Sequence, residues 1–140
     1  MIWICRILIG LVVIDNLQAA GLFLFFPDGF ALSFDLAGPA GRTAIQSIGI
    51  LFLMWCVPYV FTLINPIRYR VSHIEACIMQ TLGLLGETFL LIYLPGSLVF
   101  TPASLQRFIL FDFGGLILLL LALWLSFRIS PRKPSNPVNS

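Results

Sequence analysis

Charged side chains are scarce in this 140-residue chain. Asp, Glu, Lys and Arg together make up 10% of the residues, whereas a soluble domain carries about 25%. So few charges cannot cover the surface of a globular domain, and with 59% hydrophobic residues the bilayer is expected to be the main solvent of the chain. The formal net charge is only +2, and no basic run is interleaved with aromatic residues. A nucleic-acid-binding surface is therefore excluded.

Residues that bind metals or act as nucleophiles are also few. The chain has one histidine and three cysteines, and no two cysteines form a CxxC pair. Cys5, Cys56 and Cys77 all lie in apolar segments, which argues against a disulfide framework and a zinc site and predicts buried thiols. There is no Gly-rich phosphate-binding loop and no cluster of metal ligands. We therefore expect neither a cofactor nor a bound metal.

The hydrophobic residues are concentrated in four long segments. These are residues 2–26, 43–64, 73–94 and 103–128. About 20 helical residues cross the roughly 30 Å of hydrocarbon in a bilayer, so each segment can span it. The connections are short, and the pattern predicts an all-α, integral membrane four-helix bundle over residues 1–128. Residues 129–140 are rich in Pro and Ser, lack an apolar pattern, and are predicted to be a disordered cytoplasmic tail.

The first segment has a competing interpretation as a cleavable signal peptide. Arg6 lies in a short n-region, and residues 18–21 form a poor cleavage site. Asp15 and Asn16 interrupt the apolar region, however, and apolar sequence continues past residue 21. We therefore expect this segment to remain as a helix. Residues 27–29 are predicted to form a turn, and residues 30–36, which follow it, are too few to span and are predicted to lie at the membrane surface.

Local sequence signals predict where the last two spans begin. Ser72 and Glu75 have the form of a capping box, with Ser72 as the N-cap. This gives Glu75 a structural role. Thr101 and Pro102 are predicted to be the N-cap and the first helical residue of the fourth span. His73 adjoins the basic turn, and we interpret it as an interfacial histidine rather than a ligand.

The basic residues are divided unequally between the two sides of a four-span arrangement. Two of them, Arg42 and Arg107, share one side. The other six are Arg6, Arg68, Arg70, Arg128, Arg132 and Lys133. Cytoplasmic segments of membrane proteins carry an excess of Lys and Arg, so both termini and the 65–72 turn are predicted to be cytoplasmic. The expected location is the inner (plasma) membrane, as a multi-pass protein.

Polar and small residues recur at steps of three and four in the spans, which places them on one stripe of each helix. In the third span this stripe is His73, Ala76, Gln80, Gly83 and Glu87. The helical rise of about 1.5 Å per residue puts the polar residues of different spans at similar depths, in the outer half of the bilayer. The predicted polar layer comprises Asp15, Gln18, Arg42, Gln46, Gln80, Glu87, Arg107 and Asp112.

This layer has two interpretations that the sequence leaves open. A carboxylate at a helix centre costs about 2.5–3.5 kcal/mol, so we expect Asp15, Glu87 and Asp112 to lie near one another and near Arg42 and Arg107. In one interpretation the layer is structural and its hydrogen bonds specify how the helices pack. In the other it lines a small cavity that opens outward and binds a ligand or a proton.

The order of several short motifs resembles that of known families. The motifs are Arg6-x-x-x-Gly10, Pro27, Gly41-Arg42, Asn65-Pro66 with Arg68-Tyr69-Arg70, and Phe111-Asp112-Phe113. In these features nearly the whole chain resembles the DoxX-like and BphX-like families of small bacterial four-helix membrane proteins. The resemblance implies a four-helix bundle with both termini inside. Asp15, Asn16 and Glu87 have no counterpart in it, so it assigns no site.

Three functions are compatible with the sequence. The leading hypothesis is a non-enzymatic membrane protein that acts through the polar layer. It would be an accessory subunit, in a homo-oligomer or a larger membrane complex, or a binder of a small lipophilic ligand. The second is a membrane-embedded enzyme in which Glu87 and Asp112 perform acid–base chemistry on a lipophilic substrate. The third is a proton-coupled carrier, which would have to be an oligomer because four spans are few for a carrier.

Overall fold

The computed structural model describes residues 1–129, which form helices and no strand. The helices are α1 (Ile2–Phe25), α2 (Pro27–Leu32), α3 (Gly38–Ile64), α4 (Arg70–Ile92) and α5 (Thr101–Arg128). All except α2 are long and apolar enough to cross a membrane. This confirms the predicted all-α membrane four-helix bundle. Residues 130–140 of the predicted tail lie outside the described residues.

The four long helices form a ring in chain order. α1 packs along α3, α3 packs on α4, α4 packs along α5, and α5 returns to α1. Neighbouring helices are antiparallel because the connections between them are short. The six-residue helix α2 lies across one end of the ring and packs on α3. The segment predicted to lie at the membrane surface therefore covers this end of the bundle, which we call the pocket end.

The core has two halves. The half near the chain's first residue contains small and branched side chains, among them Cys5, Ile9, Val12 and Leu119. The half at the pocket end is aromatic and is built around Phe23 and Phe52. All three cysteines are free and buried, as their positions in apolar segments predicted.

The opposite end of the bundle is basic, and we call it the basic end. Arg6 Nη2 donates a hydrogen bond to Ile64 O at 2.5 Å, and Arg70 Nη2 donates one to Ser126 O at 3.0 Å. These carbonyls belong to the last turns of α3 and α5, where an arginine satisfies an otherwise unpaired acceptor and complements the helix dipole. Aromatic rings lie beside these guanidinium groups, with Trp3 at Arg6, Phe127 at Arg70 and Trp124 at Arg128.

Two predicted helix starts are wrong. α4 begins at Arg70, two residues before Ser72, so Ser72 is not an N-cap. The turn before α4 is instead closed by the Asn65 side chain, whose Oδ1 accepts hydrogen bonds from the backbone N–H groups of Ile67 and Arg68. Local backbone bonds of this kind compete with the capping box. Thr101 is the first residue inside α5 rather than its N-cap.

The N-terminus of α5 is capped by a residue that is distant in the chain. Asp35 Oδ2 accepts hydrogen bonds from Phe100 N, Thr101 N and Thr101 Oγ1 at 2.9, 2.9 and 2.8 Å. Asp35 has a left-handed backbone with φ of 56°, a conformation that Asp tolerates better than most residues. Desolvation opposes ionisation of this carboxyl, but the hydrogen bonds from Thr101 and Phe100 outweigh it and lower the pKa of Asp35.

Candidate functional site

A chain of buried hydrogen bonds joins α3, α4 and α5 near the middle of the bundle. Tyr59 Oη donates to Gln80 Oε1 at 2.7 Å, and Gln80 Nε2 donates to Asp112 Oδ1 at 2.9 Å. The three residues are only 1%, 4% and 6% exposed. Together with Glu87, one turn beyond Gly83 on α4, we call these residues the polar cluster. The structure therefore brings together Gln80 and Asp112 of the predicted layer.

Two glycines make this close approach feasible. A Cβ atom at Gly83 would collide with Asp112 Oδ2. A Cβ atom at Gly115 would lie 2.8 Å from Gln80 Nε2. Polar side chains of α4 and α5 thus lie against bare backbone of the other helix, which is the arrangement that small residues permit between transmembrane helices.

The carboxyl groups of the polar cluster have no basic partner. Among residues 1–129, neither Glu87 nor Asp112 forms a salt bridge, and the one ion pair described joins Arg42 to Asp28. Glu87 Oε2 is buried and has no hydrogen-bond partner within the described residues. Within the described residues the cluster therefore holds two acids without a cation, of which Asp112 accepts a hydrogen bond from Gln80.

Three residues of the predicted layer lie elsewhere. Asp15 and Gln18 are exposed on the outer surface of α1, and Asn16 takes the buried position, donating from Nδ2 to Val12 O at 2.8 Å. Arg42 is also exposed, and its Nη1 lies 3.7 Å from Asp28 Oδ2. Depth along a helix is fixed by residue number, but each residue also rotates the side chain by about 100°. Asp15 therefore lies on the exposed face of α1 instead of in the bundle.

The remaining two residues of the predicted layer lie toward the pocket end. Gln46 is half-buried and donates from Nε2 to Leu24 O at 3.3 Å. Arg107 is exposed and lines a cavity at this end of the bundle. Neither residue contacts the acids, so the predicted offset of Asp112 by Arg107 is not formed.

His73 is not interfacial, contrary to the sequence interpretation. It is completely buried, and its Nε2 lies 3.0 Å from Leu119 O. This contact lies two helical turns from the Gln80–Asp112 bond, and it joins α4 to α5 at a second level. The basic turn ends earlier than the sequence predicted, because α4 already begins at Arg70 and carries His73 into the bundle.

A cavity of about 190 Å³ opens among α1, α2, α3 and α5 at the pocket end. We call it the aromatic pocket because six phenylalanines line it. They are Phe23, Phe30, Phe34, Phe52, Phe108 and Phe111. The polar lining comes from Ser33, Ser104 and Arg107. Among residues 1–129, Arg107 forms no salt bridge, so the pocket combines an apolar wall with one uncompensated guanidinium group.

The segment that follows α2 fixes one side of the aromatic pocket. Ser104 Oγ donates a hydrogen bond to Ser33 O, and Asp35 is bonded to the first turn of α5. Between them, the ring of Phe34 lies 5.8 Å from that of Phe108. Residues 33–35 are thus hydrogen-bonded to α5 on both sides of Phe34, whose ring lines the pocket. These bonds fix the position of that wall of the pocket.

Sequence reasoning missed this pocket. Its phenylalanines come from α1, α2, α3, α5 and the segment after α2, so no single periodic pattern groups them. The available signal was composition, since the chain has 13 phenylalanines. Their clustering follows only from the ring order of the helices and the position of α2.

Arginine at the edge of an aromatic pocket and a pair of acids without a cation are two distinct chemical features. The aromatic pocket with its arginine suits a ligand that has an apolar ring and an anionic group, and the pair of acids suits proton binding.

Comparisons of the chain with protein-family models, with curated proteins and with solved structures find no match.

Proposed function

We propose that this small membrane protein binds a lipophilic molecule that carries an acidic group, and that the aromatic pocket is the binding site. The observation that carries the proposal is the pairing of six phenylalanines with Arg107. Ligand sites are typically apolar with a few placed polar groups, and this pocket has that composition. Binding through the pocket replaces the predicted binding through the polar layer.

The volume of the pocket limits the ligand. An engineered apolar cavity of about 150 Å³ holds one benzene molecule, whereas pockets for drug-sized ligands measure about 300–1,000 Å³. A pocket of about 190 Å³ therefore accepts one ring or the short end of an acyl chain. Larger ligands would have to leave the rest of their apolar surface in the lipid.

The position of Arg107 sets the orientation of the ligand. Arg107 is six residues from the start of α5, which is about 9 Å along the helix axis. At this depth a long arginine side chain keeps its charged group near the membrane surface. A guanidinium group binds carboxylates and phosphates through paired hydrogen bonds. The acidic group of the ligand therefore lies at the surface and the ring points into the bundle.

Photolabelling tests this proposal. Trifluoromethyl-diazirinyl benzoic acid combines one ring, a carboxylate and a photoreactive group, and the matching benzyl alcohol lacks the charge. With the full chain in lipid nanodiscs, we expect saturable labelling by the acid at residues 23–34 and 104–111. Arg107→Gln should reduce labelling by the acid and leave labelling by the alcohol unchanged. Arg128→Gln, at the basic end, is the matched control and should alter neither.

Two results would contradict the binding proposal. One is labelling spread over lipid-facing residues of all helices without saturation. The other is equal labelling of the wild-type protein and a Phe52→Trp variant, in which the larger side chain fills the pocket. The alcohol separates the two parts of the proposal, since it tests the pocket without testing Arg107.

Orientation, location and kinship are further parts of the proposal. We propose that the basic end faces the cytoplasm, because arginines are concentrated there, and that the membrane is the inner (plasma) membrane.

We also propose kinship with the DoxX-like and BphX-like proteins. The proposal is supported by the structural roles of several residues in the motifs on which the resemblance rests. Arg6 and Arg70 cap helix ends. Gly41 lies where a Cβ atom would be 2.9 Å from Leu36 Cβ.

The polar cluster supports a second candidate function, in which Glu87 and Asp112 bind and exchange protons. The specific observation is the absence of a salt bridge to either acid among residues 1–129, together with the unpartnered Glu87 Oε2. An ionisable residue inside the membrane is by default a candidate functional residue, and an acid without a basic partner is a candidate for proton binding. Such a site would serve a proton-coupled oligomeric carrier, or an enzyme that performs acid–base chemistry on a lipophilic substrate.

Infrared spectroscopy distinguishes this second function. In nanodiscs, the carbonyl band of a protonated carboxyl group should appear and titrate with pH. Above the pH range in which exposed carboxyl groups titrate, Glu87→Gln and Asp112→Asn should each remove part of the titrating band, while Asp28→Asn, an exposed acid, should leave it unchanged. A titrating band that is as large in the Glu87→Gln/Asp112→Asn double variant as in the wild-type protein would reject the proton-binding function.

A further inference from the structure

The outer surface of α1 carries two polar side chains at the middle of the bilayer. Asp15 and Gln18 are both exposed. Asp15 is 13 residues from Ile2 and 10 residues from Phe25, which is about 20 Å and about 15 Å along the helix. The hydrocarbon core is about 30 Å thick, so Asp15 lies close to its centre whichever end of the bundle faces the cytoplasm.

Within the described residues, no group pairs with the side chains of Asp15 and Gln18. Among residues 1–129, neither Asp15 nor Gln18 takes part in a side-chain hydrogen bond, and the one described ion pair is remote. A charged residue at a helix centre is costly in lipid. A long side chain such as Arg107 can reach the membrane surface, but an Asp side chain at this depth is too short to do so.

We propose that this face of α1 is an interface with a second copy of this chain. The face comprises Leu11, Asp15, Gln18 and Leu22, which are spaced four, three and four residues apart and so lie on one stripe. Two copies in the same membrane are related by a two-fold axis along the membrane normal, and this symmetry leaves every residue at its own depth. Groups that pair across the axis must therefore lie at similar depths in one chain.

Asp15 and Gln18 meet this condition. They are three residues apart, about 4.5 Å in depth, which the length of a glutamine side chain bridges. In each copy the Gln18 amide donates to the Asp15 carboxyl of the other copy, so that two identical hydrogen bonds form. Each copy contributes one amide donor and one carboxyl acceptor to these bonds, so a second copy completes them without any foreign residue. This self-complementarity favours a homodimer over a different partner.

The rest of the face suits close packing of two helices. Gly21 is one turn from Gln18, and a Cβ atom there would meet nothing within 4 Å. Leu11 and Leu22 are 47% and 38% exposed and supply apolar contact on either side of the polar pair. A small residue together with hydrogen-bonding side chains is typical of transmembrane helix interfaces. Leu22 also lines the aromatic pocket, so the proposed interface adjoins that pocket, but the inference does not depend on ligand binding there.

Energy transfer between fluorescent copies in liposomes tests the interface. The full chain is reconstituted over a range of protein-to-lipid ratios, which gives a dissociation constant. Gln18→Leu removes both symmetric hydrogen bonds and should weaken association about 10- to 30-fold. Gln106→Leu, at an exposed glutamine of α5, is the matched control and should leave the constant unchanged. Asp15→Asn retains a hydrogen-bond acceptor and should keep most of the affinity.

Cysteine cross-linking locates the contact independently. The three native cysteines are buried, so an introduced cysteine is the accessible thiol. Leu11→Cys should form a covalent dimer on mild oxidation, whereas Leu85→Cys, on the exposed face of α4, should not. The proposal is overturned if the wild-type protein is monomeric at every dilution, if Gln18→Leu and Gln106→Leu associate equally, or if Leu85→Cys cross-links as readily as Leu11→Cys.

Discussion

The close approach of α5 to Gly83 makes a sharp prediction about a single methyl group. In Gly83→Ala the new Cβ atom would occupy the place of Asp112 Oδ2 and would lie 3.3 Å from Asp112 Cγ. The carboxyl group must then move and lose its 2.9 Å hydrogen bond from Gln80. Because Asp112 is only 6% exposed, water does not replace that bond.

The magnitude follows from two opposing effects. An unsatisfied buried polar group costs about 1–3 kcal/mol. Replacing Gly by Ala inside a helix is favourable by about 0.8–1.0 kcal/mol, so the net loss of stability is about 0–2 kcal/mol. Gly86 lies on the same helix, is exposed, and has open space at its Cβ position. Gly86→Ala is therefore stabilised by the higher helix propensity of Ala alone. The difference in stability between the two variants isolates the steric effect, of about 1–3 kcal/mol.

Equilibrium unfolding in mixed detergent micelles measures this difference. Asp112→Ala removes the carboxyl group that the new methyl group meets, so the same Gly83→Ala change should cost much less in that background. The coupling of the two changes separates a local collision from a general loosening of the helix pair. If Gly83→Ala were as stable as Gly86→Ala, the packing of Asp112 against Gly83 would be refuted.

Three further predictions concern other parts of the chain. Tyr59→Phe leaves Gln80 Oε1 without its donor and should lower the unfolding free energy by about 1–3 kcal/mol in the same assay, whereas Tyr93→Phe, at an exposed position, should change it by less than about 0.5 kcal/mol. The lowered pKa of Asp35 means that its ionised form stabilises the fold at neutral pH and that this contribution is lost as the pH falls below the ordinary value of 3.8. Thermal melting of Asp35→Asn should therefore show a lower melting temperature at pH 7 than the wild-type protein and a weaker decline in acid, and an unchanged melting temperature would contradict the cap. A thiol reagent that cannot cross the membrane should label Gly96→Cys from the outside and Arg68→Cys only from the inside of cells, and the reverse pattern would refute the proposed orientation.

The helices were predictable because their signals are local. Four apolar segments and a stripe of polar and small residues in each are properties of the sequence itself, and the third-span stripe residues His73, Ala76 and Gln80 are indeed buried. The predicted start of α4 was wrong because a local turn closed by Asn65 competes with the capping box, and that of α5 was wrong because its cap comes from a distant residue. Asp35 caps α5 from 66 residues away, and no spacing rule in the sequence reveals that contact.

The candidate site was predictable only in part, for a geometric reason. Gln80 and Asp112 were both predicted to belong to the polar layer, and the structure joins them by a hydrogen bond. The direction of a side chain around the helix also depends on how the neighbouring helices pack. Asp15 and Asn16 differ by one residue, yet Asn16 is buried and Asp15 is exposed. The aromatic pocket depends wholly on such packing, which is why composition alone did not reveal it.

The contacts of α5 have a consequence for the order in which the protein is assembled during synthesis. The contact of Arg6 with Ile64 lies within the first half of the chain, so α1 and α3 can pair as soon as both are inserted. Asp35, Arg70 and the Nε2 group of Gln80 must wait, because their partners belong to α5 or to the residue before it. An unfinished chain that lacks α5 therefore presents unpaired polar groups at both ends and in the middle of the bilayer. α5, the last of the described helices to be synthesised, thus completes hydrogen bonds that α4 and the segment after α2 leave open until then.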